Sequence, residues 1–84
     1  MSEYANVKRR NICKLLNWLC KKDKFLTVGV GGKHTMVIKY NYWERPFPVP
    51  FKNSEVRRFY VKTLLKKLVD SEICTKEEFD KYIK

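Results

Sequence analysis

The chain has 84 residues, of which 44% are hydrophobic and only three each are glycine and proline. This is enough for one small folded domain over residues 1–84, and it excludes a disordered or repetitive chain. Nineteen Lys and Arg against nine Asp and Glu leave a net charge of +10, which indicates an anionic partner such as nucleic acid, an acidic protein or a membrane surface. No apolar run reaches the ~18 residues of a membrane span, and an amphipathic helix follows the basic first residues where a signal peptide would have an apolar block, so we expect a cytoplasmic protein. A membrane surface is the weakest of these partners, because the apolar stripes of the basic helices are committed to the core, and we expect no membrane partner.

The first predicted element is an amphipathic helix over about residues 5–22. Its apolar residues follow the i, i+3, i+4, i+7 spacing that places them on one face of a helix. They are Ile12, Leu15, Leu16 and Leu19. Another face of this helix is polar and mostly basic, and it either is solvated or meets an anion.

Three short strands are predicted next. The first covers residues 25–30 and ends at a turn formed by Gly31 and Gly32. The second begins at Thr35 and alternates apolar and polar residues up to the loop at residues 41–45. Tyr40, Tyr42 and Trp43 gather near this loop, where aromatic rings either pack on the core or stack on nucleic-acid bases.

The third predicted strand, residues 46–51, has proline at every second position. Alternate residues of a strand direct their N–H groups to opposite edges, so the prolines remove donors from one edge only. We therefore predict an edge strand that cannot recruit a further strand on its proline side. The same alternation places Phe47, Val49 and Phe51 together on the face turned to the core.

Two further helices complete the chain. The longer one has an apolar stripe at Val61, Leu64, Leu65 and Leu68, and Asn53 or Ser54 would initiate it or a turn leading into it. The last helix opens with Thr75 and Glu78 at the spacing of a capping box, and Phe79 with Tyr82 or Ile83 would anchor it.

This order of elements predicts an α+β domain. Three successive strands with short links form an antiparallel meander, and both amphipathic helices need to bury their stripes on one of its faces. We expect a two-layer sandwich of a helix, a three-stranded antiparallel sheet and a second helix, followed by a short C-terminal helix.

His34 is the sole histidine, and it lies beside Gly32 and Lys33 at the entrance to the second strand. An imidazole gives or takes a proton near neutral pH, so His34 is the candidate general acid or base. The glycines would let a phosphate approach the backbone, and Lys33 would hold it. A lone histidine in a small domain usually has a structural or incidental role, and that alternative stays open.

Other kinds of site are disfavoured. The sequence has no nucleophile elbow, no phosphate-binding Walker loop and no carboxylate pair spaced for glycosidic chemistry. Cys13, Cys20 and Cys74 form no close pair and, with one histidine, no metal-ligand set. We expect reduced thiols, no metal and no cofactor.

The chain resembles the HicA toxins of HicA–HicB toxin–antitoxin modules. Gly32-Lys33-His34 stands where the family has Gly-Ser-His, and Val49-Pro50 is similar to the Val-Pro that ends the third strand of the family. Residues 61–68 are similar to the family's Thr-Leu-Arg-x-Ile-Leu-Lys, and the acidic turn before Phe79 is similar to its closing Glu-Glu-Phe. The chain departs from the family at Lys33 and Thr35, and it lacks the glycine that commonly precedes the second helix.

The resemblance implies a fold like that of double-stranded-RNA-binding domains. It also implies a metal-independent endoribonuclease that cleaves mRNA, with His34 as the essential histidine and a HicB-type antitoxin that covers the site. We expect cleavage through the 2′-hydroxyl and a monomer when free. The residues assigned to RNA contact and charge stabilisation are Gly32, Lys33, Lys39, Arg58, Lys62 and Lys66.

Two other functions fit the same residues. A non-catalytic RNA-binding module would have the same charge, with His34 as an ordinary residue. A basic interaction protein would use its charge solely for an acidic protein partner.

Overall fold

The computed structural model describes residue 4 and residues 7–83, which form an α+β domain of three helices and a five-stranded antiparallel sheet. In chain order the elements are β1 (Val7–Lys8), α1 (Arg9–Lys22), β2 (Leu26–Gly32), β3 (Thr35–Tyr40), β4 (Phe47–Lys52), β5 (Glu55–Val56), α2 (Arg58–Asp70) and α3 (Lys76–Ile83). The strands lie in the order β1-β5-β4-β3-β2. Among the described helices, none is long and apolar enough to cross a membrane.

The core lies between the helices and one face of the sheet. The predicted stripe of α1 is buried at all four positions, and in α2 Val61, Leu64 and Leu68 are buried while Leu65 is half-buried. Alternate residues of the two central strands face these helices. They are Met36 and Ile38 of β3 with Phe47 and Val49 of β4. The predicted α+β class and the apolar faces of its main elements are thus confirmed.

The first helix begins later than predicted. Val7 and Lys8 pair with Val56 and Glu55 as strand β1, and the ammonium of Lys8 lies 2.7 Å from the carboxylate of Glu55. This pairing holds the backbone extended up to the start of α1 at Arg9, so the prediction of helix at residues 7 and 8 was wrong. Positions 5 and 6 lie outside the described residues.

Of the two alternatives for Asn53 and Ser54, the helix start is wrong, because Arg57 precedes the first residue of α2, and a turn is what they form. They form the turn between β4 and β5, with φ angles of 54° and 64°. Left-handed backbone at both central residues matches the right-handed twist of a two-residue hairpin, and asparagine tolerates this conformation well. The helix α2 begins four residues after Ser54, at Arg58.

The proline-bearing strand β4 pairs with β3 through residues 47–50. The N–H of Phe51 donates to the carbonyl of His34 at 2.9 Å, and by alternation the N–H groups of Phe47 and Val49 point the same way. The proline side of this stretch is unpaired, as predicted. However, β4 is not the edge strand of the sheet, because Phe51 and Lys52 pair with β5.

A capping box begins α3, as predicted. The N–H of Glu78 donates to the hydroxyl of Thr75 at 3.2 Å, and the N–H of Thr75 donates to the carboxylate of Glu78 at 2.9 Å. The hydrogen bond from Thr75, with help from the nearby Lys22, lowers the pKa of Glu78. The helix is anchored by Phe79 and Ile83, both buried, and by Tyr82, which stacks on Trp18.

One cross-strand row provides a matched pair of substitutions. Val30, Met36 and Val49 lie side by side on the helix-facing side of the sheet, but Val49 is fully buried whereas Val30 is 87% exposed. Val49→Ala is expected to lower the free energy of unfolding by about 2 kcal/mol. Val30→Ala should change it little. Urea unfolding of both variants checks this, and equal losses would contradict the position of the core.

The charge of Glu78 generates a second prediction. Because folding lowers its pKa, its ionised form adds stability near neutral pH, and this contribution is lost as the pH falls through and below the usual glutamate range of about 4.3. Wild type should therefore be more stable than Glu78→Gln at pH 7 and equal to it near pH 2. Thermal unfolding against pH measures the difference. If Glu77→Gln, the control at the neighbouring exposed position, gave the same pH dependence, the assigned cap would be wrong.

Candidate nucleic-acid interface

His34 lies at an exposed turn. The strands β2 and β3 pair up to Gly32 and Thr35, and Lys33 and His34 form the two-residue connection between them. No described glycine has a positive φ, so the glycines are not needed for a left-handed turn. A Cβ on Gly31 would instead collide with Cγ2 of Val37, so the absence of a side chain allows this end of the hairpin to close.

The ring of Phe51 connects His34 to the first helix. The His34 imidazole meets it edge to face, with centroids 5.8 Å apart and an angle of 85°, and the Arg9 guanidinium lies 4.8 Å from its centroid. A cation over an aromatic face is attracted by the ring quadrupole. The Phe51 ring therefore contacts both the Arg9 side chain of α1 and the turn that carries His34.

We call the surface around these three residues the basic end. Lys52 and Arg57 line a hollow beside Phe51, and Arg10 lines another with Lys8 and Arg9. Its seven cationic residues are all exposed. They are Lys8, Arg9, Arg10, Lys33, Lys52, Arg57 and Arg58.

Among the described residues of this surface one is acidic, Glu55, and it forms an ion pair with Lys8. The other six cations have no ion pair with any residue that the structure describes. Such an excess of like charge creates a positive potential over the hairpin turn, which attracts an anion.

Two helices begin at the basic end, and the cationic residues at their N-termini interact unfavourably with the helix dipoles. The first turns of α1 and α2 contain no acidic residue, and the residues preceding them, Lys8 and Arg57, make no side-chain capping bond. Because a helix N-terminus carries partial positive charge, Arg9 and Arg58 are unfavourable there for the isolated protein. An anion bound across these termini would remove this repulsion.

The structure brings together three of the residues that we assigned to the site from the sequence, since Gly32, Lys33 and His34 lie at the hairpin turn. Arg58 lies at the start of α2, in a hollow that Arg57 and Lys52 also line.

The other three assigned residues lie apart from them. Lys62 and Lys66 are exposed further along α2. Lys39 lies near the far end of β3, five residues from His34 and on the sheet face turned away from the core, so it is not placed to act on the same phosphate.

Arg9, Phe51 and Arg57 are site residues that sequence reasoning missed. The short strands β1 and β5 bring both helix N-termini beside the hairpin turn, and strands of two residues have no periodicity to detect. The adjacent arginines at positions 9–10 and 57–58, each just before an apolar stripe, are the signal that could have found them.

The cysteines provide no activated thiolate at this surface. Burial raises the pKa of Cys74 to about 11 and also raises the pKa of Cys20, so both thiols are protonated at neutral pH. Cys13 is half-buried and its sulfur lies 3.6 Å from that of Met36. Within residues 7–83 and Tyr4, no group of three or more His, Cys, Asp or Glu is arranged to hold a metal ion.

Comparisons with family models, with curated proteins and with solved structures return no significant match to this chain. The resemblance to HicA therefore depends on the residues quoted above and stays a prediction.

The repulsion between Arg58 and the N-terminus of α2 can be tested by measuring the free energy of unfolding. Arg58→Gln is expected to leave the free energy of unfolding unchanged or to raise it by up to about 1 kcal/mol at low salt, because it removes a cation from a helix N-terminus. Lys67→Gln, in the last turn of the same helix, should lower it, since that ammonium also lies 5.3 Å from the Trp43 ring. Urea unfolding at low and high salt measures both, and destabilisation by Arg58→Gln would contradict the assigned repulsion.

Proposed function

We propose that the protein is an endoribonuclease of the HicA type, which cleaves mRNA and is held inactive by an antitoxin of the HicB type. The observation that carries the proposal is the exposed imidazole of His34, at a turn that also contains Lys33 and against a Phe51 ring that also holds Arg9. An exposed group that transfers protons near neutral pH, in a positive potential, suits the cleavage of a phosphodiester.

The arrangement of the elements supports an RNA-binding fold. An N-terminal helix, an antiparallel β-meander and a second helix follow one another in the order typical of double-stranded-RNA-binding domains. We propose that this domain is of that type, with the start of α2 and the hairpin turn meeting the RNA backbone.

The proposed reaction uses the substrate's own nucleophile. The ribose 2′-oxygen attacks the adjacent phosphorus, the bond from phosphorus to the 5′-oxygen breaks, and a 2′,3′-cyclic phosphate forms. The 2′-hydroxyl loses a proton as it attacks, and the departing 5′-oxygen gains a proton, so the number of protons is conserved. His34 performs one of these transfers, and solvent water performs the other.

Cationic side chains would stabilise the pentacoordinate phosphorane. Lys33 is adjacent to His34, and Arg9 shares the Phe51 ring with it, so both lie on the same surface as the imidazole. One well-placed donor to such a charge contributes ~2.7–4 kcal/mol. The further cations of the basic end would draw the RNA backbone in, with an affinity that falls as salt rises.

The partner that restrains this activity would be acidic at its contact surface. The six cations of the basic end that have no ion pair with a described residue form an interface that an acidic HicB-type protein would neutralise and cover. Free of that partner, we propose a cytoplasmic monomer.

Substitution of the histidine tests the proposal. His34→Ala should abolish cleavage of RNA in the presence of EDTA while leaving RNA affinity within about 3-fold of wild type, since one ring among many cationic side chains adds little to the electrostatic attraction. Gel analysis of RNA after incubation, together with fluorescence anisotropy, measures both quantities. In bacteria, induced wild type should arrest growth and deplete mRNA, and the variant should do neither.

Val30→Ala is the matched control, because Val30 lies exposed on the same hairpin and outside the proposed site. It should cleave as wild type does. Equal cleavage by wild type and His34→Ala in EDTA would overturn the mechanism. RNA binding by both without cleavage would instead identify a non-catalytic RNA-binding module.

A further inference from the structure

A second basic surface lies at the opposite end of the hairpin, and it carries exposed aromatic rings. We propose that this surface stacks an unpaired base of single-stranded RNA, next to the segment whose phosphate reaches His34. This inference rests on the proposed function in taking RNA as the ligand. We call the surface the aromatic groove, a hollow of about 460 Å³ whose lining includes Lys24, Phe25, Lys39, Tyr40, Trp43 and Arg45.

Two rings of this region are held by the fold. The indole N–H of Trp43 donates to the hydroxyl of Ser71 at 2.7 Å, and the hydroxyl of Tyr40 donates to the carboxylate of Asp23 at 3.1 Å. The two rings also contact each other, with centroids 5.6 Å apart. They form a fixed aromatic base for the groove.

Two other rings are exposed on top of this base. Phe25 is 42% exposed and Tyr42 is 72% exposed, and they meet edge to face with centroids 5.8 Å apart. Tyr42 also leans on Tyr40, at 5.5 Å. Exposed aromatic faces that neighbouring side chains hold in place suit stacking on a base, which contributes ~1–3 kcal/mol per base.

Three cations line the same groove. Lys24, Lys39 and Arg45 have no ion pair within the described part of the chain, and the Lys24 ammonium lies 5.5 Å from the Phe25 ring centroid. The carboxylate of Asp23 is already occupied by the Tyr40 hydroxyl and the N–H of Phe25. The groove thus offers a ring for a base and free cations for its phosphates, which favours nucleic acid over an apolar peptide.

The outer face of the sheet leads from the groove to the turn that carries His34, whose ring lies at the rim, against the core-facing Phe51. Lys39 pairs with Thr27, and Val37 pairs with Gly29 in the next row, so this face carries small side chains and no acidic group between the two ends. The five residues from His34 to Lys39 span ~17 Å of strand, a distance that a few nucleotides cover. The bases of such a segment need to be unpaired, because a duplex does not present their faces.

Fluorescence anisotropy with labelled RNA tests the groove, using the His34→Ala protein so that the probe stays intact. The probes are a short unstructured RNA, the same RNA with abasic nucleotides, and an RNA duplex. We expect at least about 10-fold weaker binding of the abasic strand, although its charge is the same. The double variant Phe25→Ala/Tyr42→Ala should bind the unmodified strand more weakly by a similar factor. Its affinity for the duplex should change little.

Val69→Ala is the control, since Val69 is 38% exposed near the end of α2, outside the groove and away from the helix start that we propose to meet the RNA backbone. It should bind all three probes as the parent protein does. In addition, Lys39→Gln should reduce the slope of log affinity against log salt concentration by about one for the single-stranded RNA, because one fewer counterion is released on binding. Unchanged affinity of the double variant, or of the parent protein for the abasic strand, would overturn the inference.

The outcomes separate this inference from the proposed function. If wild type stacks a base in the groove but never cleaves RNA, the proposed nuclease activity is wrong and base stacking in the groove is supported. If cleavage depends on His34 while the abasic strand binds as well as the normal one, base stacking in the groove is wrong and the proposed nuclease activity is supported. A polyglutamate that displaces the normal strand and the abasic strand equally would identify a surface for acidic protein and overturn the groove.

Discussion

The contact of the Phe51 ring with His34 and Arg9 is the constraint on which the candidate site depends. Phe51 belongs to β4, His34 to the turn before β3, and Arg9 to the first turn of α1, so three separate elements meet on one ring. The backbone bond from Phe51 to the His34 carbonyl fixes the turn beside that ring. The core holds these elements in register, and the position of the imidazole follows from it.

The charges of the basic end point to function because they oppose stability. Arginines at two helix N-termini and adjacent unpaired cations raise the energy of the free protein. Elsewhere the same chain follows the stabilising pattern, with Glu77 and Glu78 in the first turn of α3 and lysines in the last turns of α1 and α2. Local charge repulsion in an otherwise favourable arrangement indicates a surface built to meet an anion.

Much of the fold could be predicted from the sequence, and less of the site. Helical periodicity identified the buried faces of α1 and α2, and the spacing of Thr75 and Glu78 identified the cap of α3. The strands β1 and β5 were missed because two-residue strands carry no pattern and are formed by long-range pairing. That pairing also places Arg9 and Arg57 near His34, so the site could not be assembled from local sequence. Lys39 was grouped with His34 because sequence spacing does not say which end of a hairpin a residue lies on.

The most direct measurement of the central claim is the fate of one RNA linkage when its 2′-hydroxyl is replaced by hydrogen. Mass spectrometry would compare the products of the intact protein acting on this oligonucleotide and on its all-ribose counterpart. The account predicts that the all-ribose linkage yields a 2′,3′-cyclic phosphate and a 5′-hydroxyl, and that the substituted linkage stays whole. Cleavage of the substituted linkage, or a product with a 5′-phosphate, would contradict attack by the ribose.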